Sequence, residues 1–164
     1  RRATVAGARR RPASMCLGSS KPGITIDANH LSRVFNITTT DTVTLTNLVI
    51  QHGWAASDMG GEVLDGGGPL VLNQVQVLSS TAASGAGGGV GVNNTLTLSA
   101  TDLISNTSFG GGGGAYAGGF VTATNSRFKL NACTGASCQG GGLYAGEPAS
   151  HARASNNAPL SALR

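Results

Sequence analysis

A repeat of about 26 residues is the feature of this sequence that most restricts its fold. Four apolar segments begin at Val43, Leu70, Leu96 and Val121, so that successive starts are 27, 26 and 25 residues apart. A four-residue element that starts with two glycines ends six or seven residues before each of the last three segments, at Val63, Val90 and Ala115, and another such element begins at Gly140. A constant period of this length is typical of proteins built from stacked structural units.

Each apolar segment has the pattern of a strand with one buried face. Val43 and Leu45 alternate with threonines, and the alternation resumes at Leu48 and Ile50 after one extra residue. A bend at the extra residue would keep both apolar pairs on the inside. The extra residues are Asn47, Gln74, Ala100 and Asn125. Two of these four are asparagine, which tolerates turn conformations.

These units predict an all-β fold, a right-handed parallel β-helix (solenoid) of about four to five coils of 25–28 residues, with three short strands per coil. Glycine clusters suit the tight corners because glycine accepts a positive φ. The predicted inward columns are 43/70/96/121, 45/72/98/123, 50/77/103/128 and 63/90/115/143. A β-sandwich is the alternative. It does not account for a motif that recurs at one position of every unit.

Composition and charge divide the chain into three parts. Residues 23–146 are predicted to form the β-helix, and residues 1–22 and 147–164 are predicted to be disordered. The N-terminal part holds six of the 11 basic residues and no acid, whereas residues 23–146 hold three basic and six acidic residues. The net charge of +4 therefore comes from the ends. No aromatic residue lies among the N-terminal arginines, so no nucleic-acid partner is expected.

The distribution of apolar residues and the first residues of the chain allow predictions about membrane insertion and about the ends of the protein. It has no apolar run of about 18 residues, so no membrane span is expected. It begins with Arg1 and has no apolar signal-peptide core, which predicts a fragment of a longer protein. Self-association through the open ends of the β-helix is also expected, because such ends leave strand edges unpaired.

Two short motifs carry a family resemblance. Gly113-Gly-Ala-Tyr116 and Phe128-Lys-Leu-Asn131 resemble the paired GGA(I/L) and FxxN motifs of polymorphic outer-membrane protein repeats, and Leu103-Ile-Ser-Asn106 is a second FxxN-like copy. The segment 24–37 resembles the first coil of large secreted bacterial β-helix proteins of the pectate-lyase-like superfamily. The resemblance covers residues 23–146. It implies a location on the bacterial outer surface or outside the cell, and a partner such as an extracellular glycan or a host or cell surface.

The resemblance leaves two classes of function open. One is a structural, adhesive or glycan-binding role without catalysis by this segment. The other is a polysaccharide lyase or hydrolase, for which Asp102, Arg127 and Lys129 are the candidate catalytic residues. The acids of residues 23–146 are scattered along the chain rather than paired, which favours the first class. The three histidines lack metal-ligand spacing, so no metal and no cofactor are expected.

The predicted outward positions of the third unit and its neighbours are rich in threonine. The candidate binding residues are Thr44, Thr46, Thr97, Thr122 and Thr124, and the two columns are interrupted at Val71 and Asn73. A regular threonine surface can bind crystalline glycan or ice, and ice binding is a third hypothesis. Threonine is also simply a favourable residue on an outward strand face.

Cysteine usage predicts one disulfide. Cys133 and Cys138 are separated by four residues in the segment after the fourth repeat, and a bond between them would fit an oxidising exterior. Cys16 would then remain unpaired.

Overall fold

The protein is a parallel β-solenoid of about five turns with no helix among its described residues. The computed structural model describes residues 23–147 and 149–150. Within these residues nineteen short strands form four sheets, and all strand pairs are parallel. The predicted all-β solenoid is therefore confirmed.

Each sheet takes one strand from successive turns. Sheet B contains β2 (Phe35–Ile37), β6 (Val63–Asp65), β10 (Val90–Val92), β14 (Ala115–Ala117) and β18 (Leu143–Ala145). Sheet C contains β3 (Val43–Thr46), β7 (Leu70–Asn73), β11 (Leu96–Ser99), β15 (Val121–Thr124) and β19 (Ala149–Ser150). Sheet A contains β1 (Ile24–Asp27), β4 (Leu48–Gln51), β8 (Gln76–Leu78), β12 (Asp102–Ile104) and β16 (Arg127–Lys129). Sheet D contains β5 (Trp54–Ala55), β9 (Thr81–Ala82), β13 (Thr107–Ser108) and β17 (Ala132–Cys133).

One turn of the solenoid passes through sheets B, C, A and D in that order. Turn one comprises β2–β5, turn two β6–β9, turn three β10–β13 and turn four β14–β17. The expectation of three strands per turn is wrong, because each of turns one to four has a fourth strand in sheet D. That strand is two residues long, and two residues are too few to produce a readable alternation of apolar and polar side chains.

The register of the sheets matches the predicted inward columns. Val43 pairs with Leu70, Leu70 with Leu96 and Leu96 with Val121. The columns through Ile50, Leu45 and Val63 are continuous in the same way. The core is therefore a stack of like residues that bury one another, with Phe128 the largest fully buried side chain.

The corners of the solenoid use the left-handed backbone conformation in register. Asn47, Gln74, Ala100 and Asn125, the predicted bend residues between sheets C and A, all have φ between 48° and 56°. A second such column lies between sheets A and D at His52, Ser79, Ser105 and Leu130. Glycines with φ of 62–67° form the third, at Gly60, Gly87, Gly112 and Gly140. Only the third column consists of glycine, which adopts the left-handed conformation without steric cost.

A ladder of buried polar side chains lies inside the corner between sheets A and D. Asn106 Nδ2 donates to Val77 O at 3.0 Å and to Asn131 Oδ1 at 3.1 Å, and Asn106 Oδ1 accepts the Ser80 N–H at 3.0 Å. A side chain on Gly114 would meet Asn131, since an added Cβ would lie 3.0 Å from Asn131 Cγ. Gly114 and Asn131 belong to the two motifs that carry the family resemblance. The two motifs therefore pack against each other, because the glycine leaves the space that the asparagine fills.

We expect the Asn106→Ala variant to lose about 3 kcal/mol of unfolding free energy, because the buried Ser80 N–H and Val77 carbonyl lose their side-chain partner. Urea denaturation followed by circular dichroism measures the loss. Asn36→Ala, on the exposed outer face of β2, is the matched control and should stay within about 0.5 kcal/mol of the parent chain. Equal effects of the two substitutions would contradict the role assigned to the ladder.

The structure describes only a small part of the two terminal segments that the sequence predicts to be disordered. Ala149–Ser150, which the sequence assigns to the C-terminal tail, forms β19 and pairs with β15. Residues 1–22, Pro148 and residues 151–164, predicted to belong to the disordered ends, lie outside the described residues, as does Cys16.

Candidate functional site

The outer face of sheet C carries the threonine columns that the sequence predicts. Thr44 pairs with Val71, Val71 with Thr97 and Thr97 with Thr122. The second column contains Thr46, Asn73, Ser99 and Thr124 in the same register. The inward residues of β7, β11 and β15 are buried, whereas these outward residues are half-buried or exposed. The face therefore presents two parallel rows of mostly hydroxyl-bearing side chains.

This face is uncharged and has an aromatic residue at its border. None of the described strand residues of β3, β7, β11 and β15 carries a charge. Phe120, directly before β15, is 56% exposed, and its carbonyl accepts the Leu96 N–H at 2.9 Å. An aromatic ring beside hydroxyls offers both apolar contact and hydrogen bonding. Sequence reasoning missed Phe120, although its position one residue before the inward Val121 was the available signal.

The structure brings together two of the three candidate catalytic residues. Arg127 Nε and Nη2 donate to Asp102 Oδ1 and Oδ2 at 2.8 and 2.6 Å, across the register that pairs β12 with β16. Lys129 lies two residues further along β16, beside Ile104. The hydrogen bonds from Arg127 to Asp102 raise the pKa of Arg127 above its ordinary value. An arginine held in this way is a poor general base, because it retains its proton.

Cys133 and Cys138 are joined by a disulfide in the loop that follows β17. Their Cα atoms are 5.9 Å apart, within the range that a disulfide spans. The loop is fixed to the previous turn, since Gly135 N–H donates to Phe109 O at 3.0 Å. The disulfide therefore closes a short loop that extends outward from turn four.

A cluster of ionisable side chains that the sequence did not predict lies where β1 and β4, the first two strands of sheet A, end. His52 Nδ1 lies 3.0 Å from Asp27 Oδ1, and Gln51 Nε2 donates to Asp27 Oδ2 at 2.8 Å. The side chains of His52 and Asp27 are 36% and 43% exposed. The hydrogen bond from Gln51, with that from the Asn29 N–H, lowers the pKa of Asp27 to about 2. The His30 ring packs on the His52 ring with centroids 4.8 Å apart.

Glu62 is fully buried at the seam between turns one and two, in the corner that leads into β6. Its Oε2 lies 2.6 Å from Ser80 Oγ, and Oε1 has no hydrogen-bond partner among the described residues. Glu62 occupies the position that Gly89 and Gly114 hold in later turns. Gly53 stands correspondingly where later turns have Ser80, Asn106 and Asn131. An added Cβ on Gly53 would collide with the Glu62 carboxyl group. The absence of a side chain at Gly53 therefore leaves the space that the Glu62 side chain occupies.

Burial dominates the protonation of Glu62. Desolvation raises its pKa from 4.5 to about 7, and the hydrogen bond with Ser80 offsets part of that rise. Asp27 raises the pKa further and His52 lowers it, so the surface cluster and the buried carboxyl are electrostatically linked. A second acid of turn two, Asp65, is also fully buried on β6, and its Oδ2 has no hydrogen-bond partner in the described part of the chain.

The cluster was missed because its members are far apart in the sequence and no motif joins them. Asp27 precedes His52 by 25 residues, and Glu62 precedes Ser80 by 18. The available signal was the break in the repeat, with Glu62 in a glycine position and Gly53 in an asparagine position.

Within residues 23–147 no group of three or more His, Cys, Asp or Glu side chains is arranged to hold a metal ion. The described chain also contains no helix that could cross a membrane. Comparison of the chain with protein-family models, curated proteins and solved structures finds no match. The family resemblance of the two motifs therefore stays a prediction, and the fold rests on the register described above.

Proposed function

We propose that this chain is a non-catalytic solenoid segment that binds a neutral, extended polysaccharide across the outer face of sheet C. The observation that carries the proposal is the uncharged outer face of sheet C, on which turns one, three and four present hydroxyl side chains in two in-register columns and turn two presents Val71 and Asn73. Hydroxyl groups both donate and accept hydrogen bonds, as sugar hydroxyls do. A polymer lying along the solenoid axis meets hydroxyl groups on turns one, three and four and the Asn73 amide on turn two, so that weak contacts add.

The charge pattern supports a neutral rather than an acidic glycan. Positive side chains would attract an acidic polymer, but the described strands of sheet C have none. Arg127, on the neighbouring sheet A, is already paired with Asp102. Phe120 adds an exposed ring against which the apolar face of a sugar can pack.

The two other functions have less support. A lyase or hydrolase would require Asp102 or Arg127 to be free for proton transfer, and each holds the other in an ion pair. An ice-binding surface would use the same face of sheet C, and Val71 and Asn73 interrupt the hydroxyl repeat that it needs. Exposure on the cell surface or outside the cell is part of the proposal and is supported by the disulfide between Cys133 and Cys138.

We expect the purified chain to be retained on insoluble neutral polysaccharides such as cellulose or chitin, and Thr97→Lys to weaken retention at least about tenfold, which corresponds to about 1.4 kcal/mol. The lysine would place bulk and charge in the centre of the face, between Val71 and Thr122. Co-sedimentation over a range of polysaccharide amounts measures the affinity.

The matched control for this prediction is Thr107→Lys. Thr107 is a half-buried threonine of the same turn, on the outer face of sheet D, so this variant repeats the substitution away from the proposed site. Retention that falls equally in both variants would contradict the assignment to sheet C. Stronger retention on polygalacturonate than on neutral polymers, or its cleavage by the parent chain, would contradict the proposed function itself.

A further inference from the structure

We propose that Glu62 makes the N-terminal end of the solenoid pH-sensitive: protonated Glu62 holds turn one against turn two, and ionised Glu62 loosens that contact. This inference is independent of polysaccharide binding on sheet C. It rests on the location of Glu62, its hydrogen bonds and the weak burial of turn one.

Glu62 joins the two turns through both its backbone and its side chain. Its carbonyl accepts the Val34 and Phe35 N–H groups of the preceding turn at 3.0 and 3.1 Å. Its carboxyl group lies against Gly53, at the end of turn one, and contacts Ser80, at the end of turn two. Water that enters to solvate an ionised Glu62 must therefore separate these two turns.

The hydrogen bonds around Ser80 fit a protonated Glu62. Ser80 Oγ lies within hydrogen-bonding distance of two acceptors, Glu62 Oε2 at 2.6 Å and Leu78 O at 3.0 Å, but a hydroxyl has one proton. Both contacts become hydrogen bonds when Glu62 donates to Ser80 and Ser80 donates to Leu78. Ser80 Oγ then also accepts the Gly53 N–H at 3.2 Å, which uses its second lone pair.

Ionisation of Glu62 would leave a buried charge, and the hydrogen bonds of Ser80 and the Gly53 N–H offset only part of the cost of burying it. Oε1 is buried and has no hydrogen-bond partner among residues 23–147. The charged groups on the turn-one side are Asp27, which opposes ionisation, and His52, which favours it. Arg33, beside Val34, is paired with Asp58 at 3.5 Å, and Asp65 adds a second buried carboxyl to turn two. A buried charge that is only partly compensated is relieved by exposure to water.

Turn one lies at an end of the described solenoid and can separate more easily than the central turns. Its inward residues Phe35, Ile37, Val43 and Leu45 are only partly buried, whereas their counterparts in turns two and three are fully buried. Fewer buried apolar contacts give a lower free energy of local opening.

The pH range follows from the raised pKa of Glu62. The value is about 7 in the closed state, against 4.5 for a hydrated carboxyl. Below 4.5 both states are protonated, and closure has its full stability. Between 4.5 and about 7 only the open state ionises, so that closure weakens as the pH rises. Above about 7 both states are ionised and the effect is constant.

Amide hydrogen exchange from pH 4 to pH 9, corrected for the intrinsic pH dependence of exchange, tests the proposal. In the parent chain the protection of the Phe35 amide should fall by up to about tenfold per pH unit between 4.5 and about 7, then level off. The Leu98 amide, in the buried β11, serves as the reference and should not show this decline. In Glu62→Gln, whose amide keeps the shape without the charge, the Phe35 decline should disappear.

The His52→Asn variant excludes the main alternative, because histidines commonly change charge in the same pH range. It should keep the decline at Phe35, and a decline that disappears with His52 would overturn the proposal. A decline unchanged in Glu62→Gln would do so too. If that variant does not fold, Ser80→Ala decides. The Ser80 hydroxyl lowers the Glu62 pKa because it can donate to the carboxylate once Glu62 is ionised. Its removal should therefore move the levelling-off to higher pH, and an unchanged profile overturns the proposal.

Discussion

The Gly88→Ala variant is expected to lose the cooperative fold of the central turns, at a cost of more than about 4 kcal/mol. Gly88 lies in the corner that begins turn three, and its N–H donates to Gly112 O at 3.2 Å in turn four. A Cβ at this position would be driven into the carbonyl oxygens of Gly113 and Thr107. Both obstacles are backbone atoms, so a side-chain rotation cannot relieve the collision and the turns must separate.

The control for this variant is Gly66→Ala, in the exposed corner after β6. The nearest atom to an added Cβ there is Ile37 O at 3.9 Å, an ordinary van der Waals distance. Its unfolding free energy should stay within about 1 kcal/mol of the parent value. Circular dichroism during urea denaturation measures both variants. If Gly88→Ala unfolds at the same urea concentration as Gly66→Ala, the close approach of the turns is not what requires glycine.

The Phe128→Ala variant is expected to lose about 3–5 kcal/mol of unfolding free energy. Phe128 is fully buried and stacks on Leu103 through the register of β12 and β16. Alanine would leave a cavity inside turn four, and the neighbouring turns cannot fill it without breaking their own register. Because each turn contacts only its neighbours, the loss should appear first as unfolding of the C-terminal turns.

Phe109→Ala is the matched control for Phe128. The same side chain is removed, but Phe109 is 53% exposed in the corner after β13. We expect a change of no more than about 0.5 kcal/mol, as is usual for a surface position. Urea denaturation, combined with hydrogen exchange of the β16 and β11 amides, separates local from global unfolding. A similar loss in both phenylalanine variants would contradict the placement of Phe128 in the core.

The residues with left-handed backbone at the corners show how far the repeat can be interpreted without a structure. The bend at Asn47, Gln74, Ala100 and Asn125 was predictable, because the apolar alternation shifts by one residue there in every unit. The second left-handed column, at His52, Ser79, Ser105 and Leu130, was not predicted. Those four residues share no side-chain chemistry, so the position is defined by the stacked backbone and not by residue type.

The threonine face and the ionisable cluster also differ in how far the sequence predicts them. The threonine face of sheet C was predictable, since outward positions follow from the strand period once the inward columns are known. The cluster of Asp27, His52 and Glu62 was not predictable, because it depends on which atoms of adjacent turns come into contact. The ion pair of Asp102 and Arg127 is intermediate. Each residue directly precedes a member of the predicted inward column 50/77/103/128, which puts the two in one register position, and only the structure shows that they neutralise each other.

The sequence by itself determined the period, the inward columns and two of the three corner columns of this protein, because similar units that stack in register must repeat their buried and turning residues at the same positions. The tertiary structure alone decided the protonation and the contacts of the polar residues. Hydrogen bonding and desolvation depend on distances of a few ångströms between turns. Glu62 is the clearest example, because its carboxyl group is buried at the seam in the space that Gly53 leaves by having no side chain.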